Sequence, residues 1–426
     1  MSEMSSVLAR SIRWRLAFPS VLFLFLSSLD RVNISFASLH MNAELGLSPT
    51  QYGLASGLVF FGFLAGQYPS VLLLQRIGFR RWLTLIAVVW GIAAMAQAAV
   101  QTPPQLYVLR VIVGFSEGGL APGLVFYLSQ FATERQRAST FATPMLAIPL
   151  SIVLGGPLSG WLLDMQAPGG IPSWRWMLLA EGLPTVICGC IAYFYFPDKP
   201  DDVTWLDEDG KAWLRANAAN RPADHQPNDW SVIVRPIVLV SSALWFCLLA
   251  GAYGIIFWLP QMVGQMTGLT AFQNGLVNAL PWLGVALGIY FNSLHSDRTG
   301  ERFGHVGIPA MVAGIAIMAA SVAGAGPTGL VLLFVTGLAL GSAQGVFWAL
   351  PTRLFGPATM ALGVVTINIC GTSAGAIIPH AIGYVREVTG SFAAATQLIG
   401  WILLLAAVLV VVIRVSFFRP QGRAGA

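Results

Sequence analysis

"QRIGFRR", residues 75–81, and "SDRTGER", residues 296–302, are two short basic stretches that each separate two long apolar segments. Both contain the pattern Arg-x-Gly-x-Arg, and an acidic residue precedes it in the second copy. The residues concerned are Arg76, Gly78 and Arg80 in the first copy and Asp297, Arg298, Gly300 and Arg302 in the second. The copies lie 222 residues apart, and nearly the same offset separates the beginnings of the first and seventh apolar segments. The sequence therefore predicts two similar halves.

The composition is that of a chain whose solvent is the lipid bilayer. Of the 426 residues, 56% are hydrophobic and 10% are charged, and the mean hydropathy is +0.72. Soluble domains carry about 25% charged residues, so this chain lacks the polar surface that a water-soluble fold needs. Apolar stretches long enough to cross a bilayer as helices, about 20 residues each, recur along the whole chain. We predict twelve spans, near residues 16–38, 51–74, 82–100, 104–131, 138–163, 174–197, 236–259, 272–294, 305–324, 328–350, 359–382 and 391–415.

The distribution of basic residues predicts the orientation. If both termini are cytoplasmic, the inner segments hold 19 of the 23 Lys and Arg residues, and the outer loops hold only Arg175 and Arg386. Basic residues concentrate on the cytoplasmic side of membrane proteins, so we expect both termini there. The formal net charge of +5 sits in short loops rather than along one face, and we expect no nucleic-acid partner.

A polar stretch divides the chain. We predict an N-terminal six-helix half over residues 1–197, a cytoplasmic linker over 198–235 and a C-terminal six-helix half over 236–426. The linker contains the amphipathic segment "TWLDEDGKAWL" (204–214), which we expect to be helical and to lie on the membrane surface. Two matching halves are typical of carriers that rock about a site near the midplane.

Several longer strings resemble one known family. The repeated basic loop is similar to the general signature of the major facilitator superfamily, and the other strings are most similar to its anion:cation symporter branch, especially to tartrate, phthalate and hydroxyphenylacetate permeases. The strings are "LDRVNISFA" (29–37), "GFSEGGLAPGLVFYLSQF" (114–131), "LAIPLSIVLGGPLSGWLL" (146–163), "WRWMLLAEGLPTV" (174–186), "FWLP" (257–260) and "FWALPT" (347–352). The resemblance covers nearly the whole chain. It implies an all-α membrane protein with twelve helices in two pseudo-symmetric halves, in a bacterial inner membrane.

Four charged residues within the first half are the candidate site. A charge at mid-bilayer costs roughly 2.5–3.5 kcal/mol on insertion scales. A functional or structural role must therefore offset this cost for each of the four residues, which are Asp30, Arg31, Arg110 and Glu117. We expect Arg31 to bind a substrate carboxylate through two parallel hydrogen bonds. We expect Asp30 to be a proton switch and Glu117 a second proton site, with Arg110 as its partner or as a gate. The resemblance implies substrate and proton binding at these four positions. Alternatively, the four charges are a structural set that neutralises itself.

Other polar residues within the spans receive weaker predictions. We expect Glu181 to make a structural contact between helices, and His380 either to pack or to line a cavity. The four cysteines all lie in apolar runs, and we expect thiols without a disulfide or a metal. In the second half, amides, hydroxyls and aromatic rings could orient hydroxyl groups or stack on a ring of the substrate, although ordinary packing explains each equally well. These residues are Tyr253, Trp258, Gln344, Trp348, Asn368 and Thr372.

The sequence departs from the family pattern close to the expected cavity. Phe63 stands where many members have Tyr, and Ile378-Pro379-His380 stands where the branch usually has Gly-Pro-Tyr. The identity of the substrate therefore does not follow from the resemblance.

The predicted function is proton-coupled uptake of a small organic acid anion, such as a hydroxy, aromatic or sugar acid, by a monomer that uses the proton gradient and no cofactor. The alternatives are an anion exchanger or an exporter of the same fold, because "GGPLSG" (155–160) is similar to a motif of exchangers. An enzyme is disfavoured, because it would need a catalytic cluster such as paired histidines, and we expect none of the five histidines (40, 225, 295, 305 and 380) to cluster. A channel is disfavoured because nothing resembles a carbonyl filter or a charged pore ring.

Overall fold

The computed structural model describes residues 10–131, 147–208, 210–212, 230–264, 268–324, 326–355 and 357–418, and no β-strand occurs in these ranges. The first half contains helices α1 (Phe18–Glu44), α2 (Pro49–Ile77), α3 (Phe79–Ala96), α4 (Pro103–Glu117), α5 (Leu120–Ser129), α6 (Ala147–Asp164) and α7 (Ser173–Tyr195). The second half contains α8 (Pro236–Gly264), α9 (Ala271–Thr299), α10 (Phe303–Ala323), α11 (Pro327–Phe347), α12 (Ala349–Leu354), α13 (Pro357–Thr389) and α14 (Phe392–Phe417).

The predicted all-α membrane architecture is confirmed. Among the described residues, eleven helices are long and apolar enough to cross a membrane, and α4 and α5 together form one of these spans. The shorter apolar helix Leu150–Asp164 falls within the predicted fifth span, whose first residues lie outside the described ranges. Several helices continue past their apolar stretches, as α13 does to Thr389, because hydropathy locates the part in lipid and not the helical ends in the interface.

Helix boundaries follow local capping rules. Thr102 and Gln105 form a capping box at the beginning of α4, where Pro103 occupies the first turn. Thr270 and Gln273 form the same arrangement at the beginning of α9. Each box satisfies backbone N–H groups that have no partner within the helix. Gly300 ends α9 with φ of 68°, a left-handed conformation that favours glycine.

The chain divides into two compact units. The first comprises residues 1–41 and 58–224, and the second comprises 42–57 and 225–426. In the first unit, the rings of Phe79 and Tyr127 stack at 3.5 Å, and Phe196 meets both edge-on. These rings fix α3, α5 and the end of α7 in one apolar core. In the second unit, α11 packs on α9 and α10, and α8 packs on α13 and α14.

Glycines allow α2 and α4 to pack closely beside the candidate site. A Cβ at Gly114 would overlap the carbonyl oxygen of Val59, and one at Gly118 would overlap that of Phe63. Small residues at such crossings let helix backbones approach within a membrane. The close approach carries the side chains of α2 toward Glu117, which follows Gly114 by one turn.

Candidate functional site

Arg31 and Glu117 form an ion pair between α1 and α4. Arg31 Nη2 lies 2.9 Å from Glu117 Oε2, and Arg31 Nε donates to the same oxygen at 3.3 Å. Ser27, one turn earlier on α1, donates its hydroxyl to Glu117 Oε2 at 3.0 Å and accepts from Arg31 Nη2 at 3.2 Å. One carboxylate oxygen therefore accepts from three donors, and the sequence analysis did not identify Ser27 as one of them.

The two partners differ in exposure. The side chain of Arg31 is 23% exposed, whereas that of Glu117 is completely buried. The Arg31 guanidinium carbon lies 4.9 Å from the ring centre of Phe63 and 5.8 Å from that of Phe60. Phe63 is one of the positions where the sequence departs from its family, and the structure places it directly at this cation. The Arg31 side chain is thus partly accessible, while its ion-pair partner Glu117 is buried.

Asp30 has a separate set of partners, although it is adjacent to Arg31 in the sequence. Its Oδ2 accepts from Trp90 Nε1 at 2.8 Å and from Thr185 Oγ1 at 3.1 Å. The residue is completely buried, and its Oδ1 has no hydrogen-bond partner in the described part of the chain. Successive helical residues point about 100° apart, so Asp30 faces α3 and α7 while Arg31 faces α4.

Arg110 supports the backbone of α1. Its guanidinium donates to the carbonyl oxygens of Asp30, at 3.5 Å, and Arg31, at 3.1 Å, and it is completely buried. Because Arg110 and Glu117 share one face of a helix, Arg110 was expected to be the partner of Glu117 or a gate. In the structure Glu117 forms its ion pair with Arg31. Arg110 lies two turns away from Glu117 along the helix, and its guanidinium contacts the backbone of α1.

Glu181 lies in the same buried region of the first unit as Asp30. Ser159 Oγ donates to Glu181 Oε1 at 2.7 Å, which links α6 to α7 as the structural prediction requires. Asn33 is buried in the same region. Asp30 and Asn33 both lie close enough to Glu181 to interact with it electrostatically. This polar cluster is larger than the sequence indicated, because Asn33 and Ser159 carry no charge that would single them out.

The predicted substrate residues of the second half lie on α8, α11 and α13, and their surroundings differ. Trp258 is buried; its Nε1 donates to the Pro379 carbonyl at 3.2 Å, and its ring meets that of Tyr52 edge-on at 5.0 Å. Gln344 donates to the Leu248 carbonyl at 3.2 Å.

The remaining four residues are less uniformly buried. Trp348 follows α11 and packs at 5.1 Å against Trp245. Tyr253 is half-buried, Asn368 is exposed and Thr372 is buried. Gln344 and Trp348 are four residues apart and share a helical face. His380 Nδ1 lies 3.3 Å from the Thr50 carbonyl, a packing contact within the second unit.

The two basic loops have similar ion pairs built from different parts of the chain. In the second copy, Arg302 Nη2 lies 2.7 Å from Asp297 Oδ1. The first copy has Gln75 at the position of the acid, and Asp198 supplies the carboxylate of the ion pair instead. Arg80 Nε lies 3.0 Å from Asp198 Oδ2, and the Arg80 backbone N–H donates to Oδ1 at 2.8 Å. Arg76 and Arg298 lie in the last turns of their helices, where a cation stabilises the helix dipole.

Two histidines, ten residues apart in the sequence, lie in contact beside the second loop. His295 Nδ1 lies 2.7 Å from His305 Nε2, and His305 Nδ1 lies 2.8 Å from Glu301 Oε2. The expectation that no histidines cluster is therefore wrong, because the turn between α9 and α10 folds the ends of these helices together. No group of His, Cys, Asp and Glu among the described residues has the geometry of a metal site.

Residues 21–379 match the family model described as Major Facilitator Superfamily. The chain belongs to this superfamily. Two solved structures share its fold. The inward-facing bacterial homologue of the human lysosomal transporter Spinster has a TM-score of 0.80 and 15% sequence identity, and the match covers 96% of this chain and 99% of that one. A D-xylose-proton symporter has a TM-score of 0.76 and 15% sequence identity, and the match covers 97% of this chain and 99% of that one. The predicted superfamily and fold are confirmed, and this superfamily member is a multi-pass membrane transporter rather than an enzyme.

Three relatives are more similar in sequence. The "Putative tartrate transporter" of Agrobacterium vitis is 34% identical over 97% of this chain and 96% of its own length. The "Quinolone resistance transporter" of Acinetobacter baumannii is 30% identical over 97% and 96%. The "Inner membrane transport protein RhmT" of Escherichia coli is 31% identical over 85% of both chains. These relatives are consistent with a permease of the anion:cation symporter type.

Proposed function

We propose that this transporter takes up a small organic acid anion together with protons, by alternating access, and that Arg31 binds the substrate carboxylate. The observation that carries the proposal is the ion pair of Arg31 and Glu117, in which the cation is partly accessible and the anion is buried. A guanidinium binds a carboxylate well through two parallel hydrogen bonds. The relative named for tartrate, a hydroxy acid with two carboxylates, supports this class of substrate.

Proton coupling follows from an exchange of partners at Arg31. A substrate carboxylate that takes the Nη2 and Nε donors displaces Glu117 from both. Removing one partner of a buried ion pair leaves an uncompensated charge, which costs about 3–5 kcal/mol. A proton on Glu117 removes that charge, so the anion and the proton bind together. Asp30 is the second proposed proton site, since it is buried and only neutral groups donate to its side chain.

The other predicted residues complete the proposal. Six side chains of the second half orient the remainder of the substrate: Tyr253, Trp258, Gln344, Trp348, Asn368 and Thr372. The paired loops, Arg80 with Asp198 and Arg302 with Asp297, hold helix ends together and release them when the conformation changes. We place the protein in a bacterial inner membrane as a monomer with both termini in the cytoplasm. The concentration of basic residues in alternate loops supports that orientation.

The proposal is tested by reconstituting the full chain in liposomes. Labelled tartrate, phthalate and 4-hydroxyphenylacetate are supplied outside, with and without an inwardly directed proton gradient. We expect at least one of these anions to accumulate against its own gradient only when the proton gradient is present. Arg31→Ala should abolish both accumulation and exchange, whereas Arg414→Ala, at the exposed end of α14, should alter neither. Accumulation that is equal with and without the proton gradient would refute proton coupling.

Export is the second candidate function. The relative of Acinetobacter baumannii that is named for quinolone resistance favours this alternative. Liposomes preloaded with ciprofloxacin or with tartrate distinguish the two directions. Proton-driven loss of the preloaded compound, without proton-driven uptake of any organic acid, would establish export and contradict uptake.

A further inference from the structure

The second unit contains a cavity of about 500 Å³ at the end where α8 and α10 finish and α11 and α14 begin. Polar and apolar surface contribute about equally to its walls. The apolar side chains include Leu259, Met262, Leu333 and Phe392, and the only charged residue in the lining is Arg386. A volume of about 300–1,000 Å³ is typical of small-molecule sites, in which polar groups orient the ligand and apolar side chains cover its body. Arg386 is also one of the two basic residues that the predicted topology places on the outer side.

Arg386 is held in place by neutral groups. Its Nη1 donates to Gln261 Oε1 at 2.6 Å, and its guanidinium carbon lies 3.8 Å from the ring centre of Phe392 and 5.5 Å from that of Trp258. In the part of the chain that the structure describes, no carboxylate forms an ion pair with it. The adjacent Glu387 is engaged elsewhere, because its Oε2 accepts from Ser48 Oγ at 2.7 Å and from the Thr50 N–H at 3.0 Å.

As far as the described residues show, the cavity therefore carries a positive charge that no carboxylate neutralises. A guanidinium has five N–H donors in a planar fork, and one contact to Gln261 leaves donors for a ligand. Two helices begin at the wall: Gly329 and Leu330 lie in the first turn of α11, and Phe392 and Ala393 lie in that of α14. Helix N-termini add partial positive charge at such a place. Aromatic stacking fixes the guanidinium plane without neutralising it.

We propose that this cavity is a second anion-binding site, which binds an organic carboxylate with an aromatic or apolar body, the carboxylate at Arg386 and the body against Leu333 and Met262. The site lies within the second unit, whereas Arg31 belongs to the first. It goes beyond the proposed transport cycle, because binding here requires neither proton coupling nor Arg31.

The test uses 4-fluorobenzoate as the probe, titrated by fluorine NMR against the purified full-length protein in nanodiscs. Arg31→Ala removes the proposed transport anchor and isolates the second site. We expect saturable binding to persist in Arg31→Ala and to weaken by about tenfold or more when Arg386→Gln is added, because a hydrogen-bonded charge is lost. Arg31→Ala combined with Arg414→Gln is the matched control and should bind as Arg31→Ala does.

A second variant guards against misfolding. Leu333→Trp fills the cavity and leaves Arg386 in place. In the Arg31→Ala background it should also weaken probe binding by about tenfold or more. If Arg386→Gln fails to elute as a monodisperse protein, the affinity of the Leu333→Trp variant tests the inference instead. The inference is overturned if Arg31→Ala alone binds no probe, or if neither Arg386→Gln nor Leu333→Trp changes its affinity. Transport is measured separately, so failed proton-driven uptake with intact Arg386-dependent binding would refute the transport cycle and leave this site standing.

Discussion

Replacing Glu117 with Gln tests the exchange of partners at Arg31. Glutamine is similar in shape to the protonated acid, but it carries no charge to compete with a substrate carboxylate. The Oε2 atom of Glu117 now accepts from Arg31 Nη2 and Nε and from Ser27 Oγ. Hydrogen bonds to charged groups contribute about 1.5–3 kcal/mol each, and a substrate must displace the two from Arg31. The neutral amide of glutamine competes less strongly for Arg31 than the carboxylate does. A loss of competition equal to one such bond should strengthen anion binding by roughly 10- to 100-fold near neutral pH.

The pH dependence gives this prediction its sign. In the wild type, anion affinity should rise as the pH falls, because protonation of Glu117 releases Arg31. In Glu117→Gln the affinity should be higher and less dependent on pH than in the wild type, exchange of anion across liposomes should persist, and proton-driven accumulation should fall. Isothermal titration calorimetry with tartrate, or with whichever acid the liposome screen identifies, measures the affinity at several pH values. If Glu117→Gln binds as poorly as Arg31→Ala, or still accumulates substrate, the reasoning is wrong.

Three further predictions concern the surroundings of the site. Asp30→Asn should retain anion exchange but lose proton-driven accumulation, and equal loss of both would remove Asp30 from the coupling mechanism. Arg80→Ala and Asp198→Ala remove the same ion pair and should both lower the melting temperature, Asp198→Ala by more because it also removes the acceptor of the Arg80 backbone N–H. The double variant should be no worse than Asp198→Ala, and additive losses would contradict the pairing. Although partial burial alone would raise the pKa of Glu301, hydrogen bonds from the backbone amides of the first turn of α10 and from His305 lower it. The stabilisation from Glu301 is therefore complete above its ordinary pKa of 4.5 and is lost as the pH falls through the lowered value; Glu301→Gln should flatten acid unfolding in that range, and an unchanged profile would refute this.

The fold could be predicted because its determinants are periodic and strong. Twelve apolar stretches and one repeated Arg-x-Gly-x-Arg loop are properties of the linear sequence, and only helices or barrels satisfy the backbone within lipid. The four charged residues of the first half could also be identified, since an intramembrane charge is expensive wherever it lies.

The pairing of those charges could not be predicted, because it depends on how α1 rotates against its neighbours. Adjacent residues on a helix point about 100° apart, so Asp30 and Arg31 turn to different helices, but the sequence does not say which. Asp198 illustrates a second difficulty: it supplies the acid that the first loop lacks from 118 residues further along the chain. Ser27 and Phe63 are uncharged, so no energetic cost in the membrane marks them in the sequence. Only the packing of α1, α2 and α4 brings Phe63 to Arg31 and Ser27 to Glu117.

The most direct test of the central claim is the number of protons taken up when an anion binds. Wild type and Glu117→Gln, both purified and weakly buffered with a pH indicator, are mixed with tartrate or with the acid that the liposome screen identifies. The exchange of partners predicts that anion binding takes up protons in the wild type and about one fewer proton per anion in Glu117→Gln. If the wild type binds the anion without taking up protons, or if both proteins take up the same number, Glu117 is not the group that links the proton to the substrate.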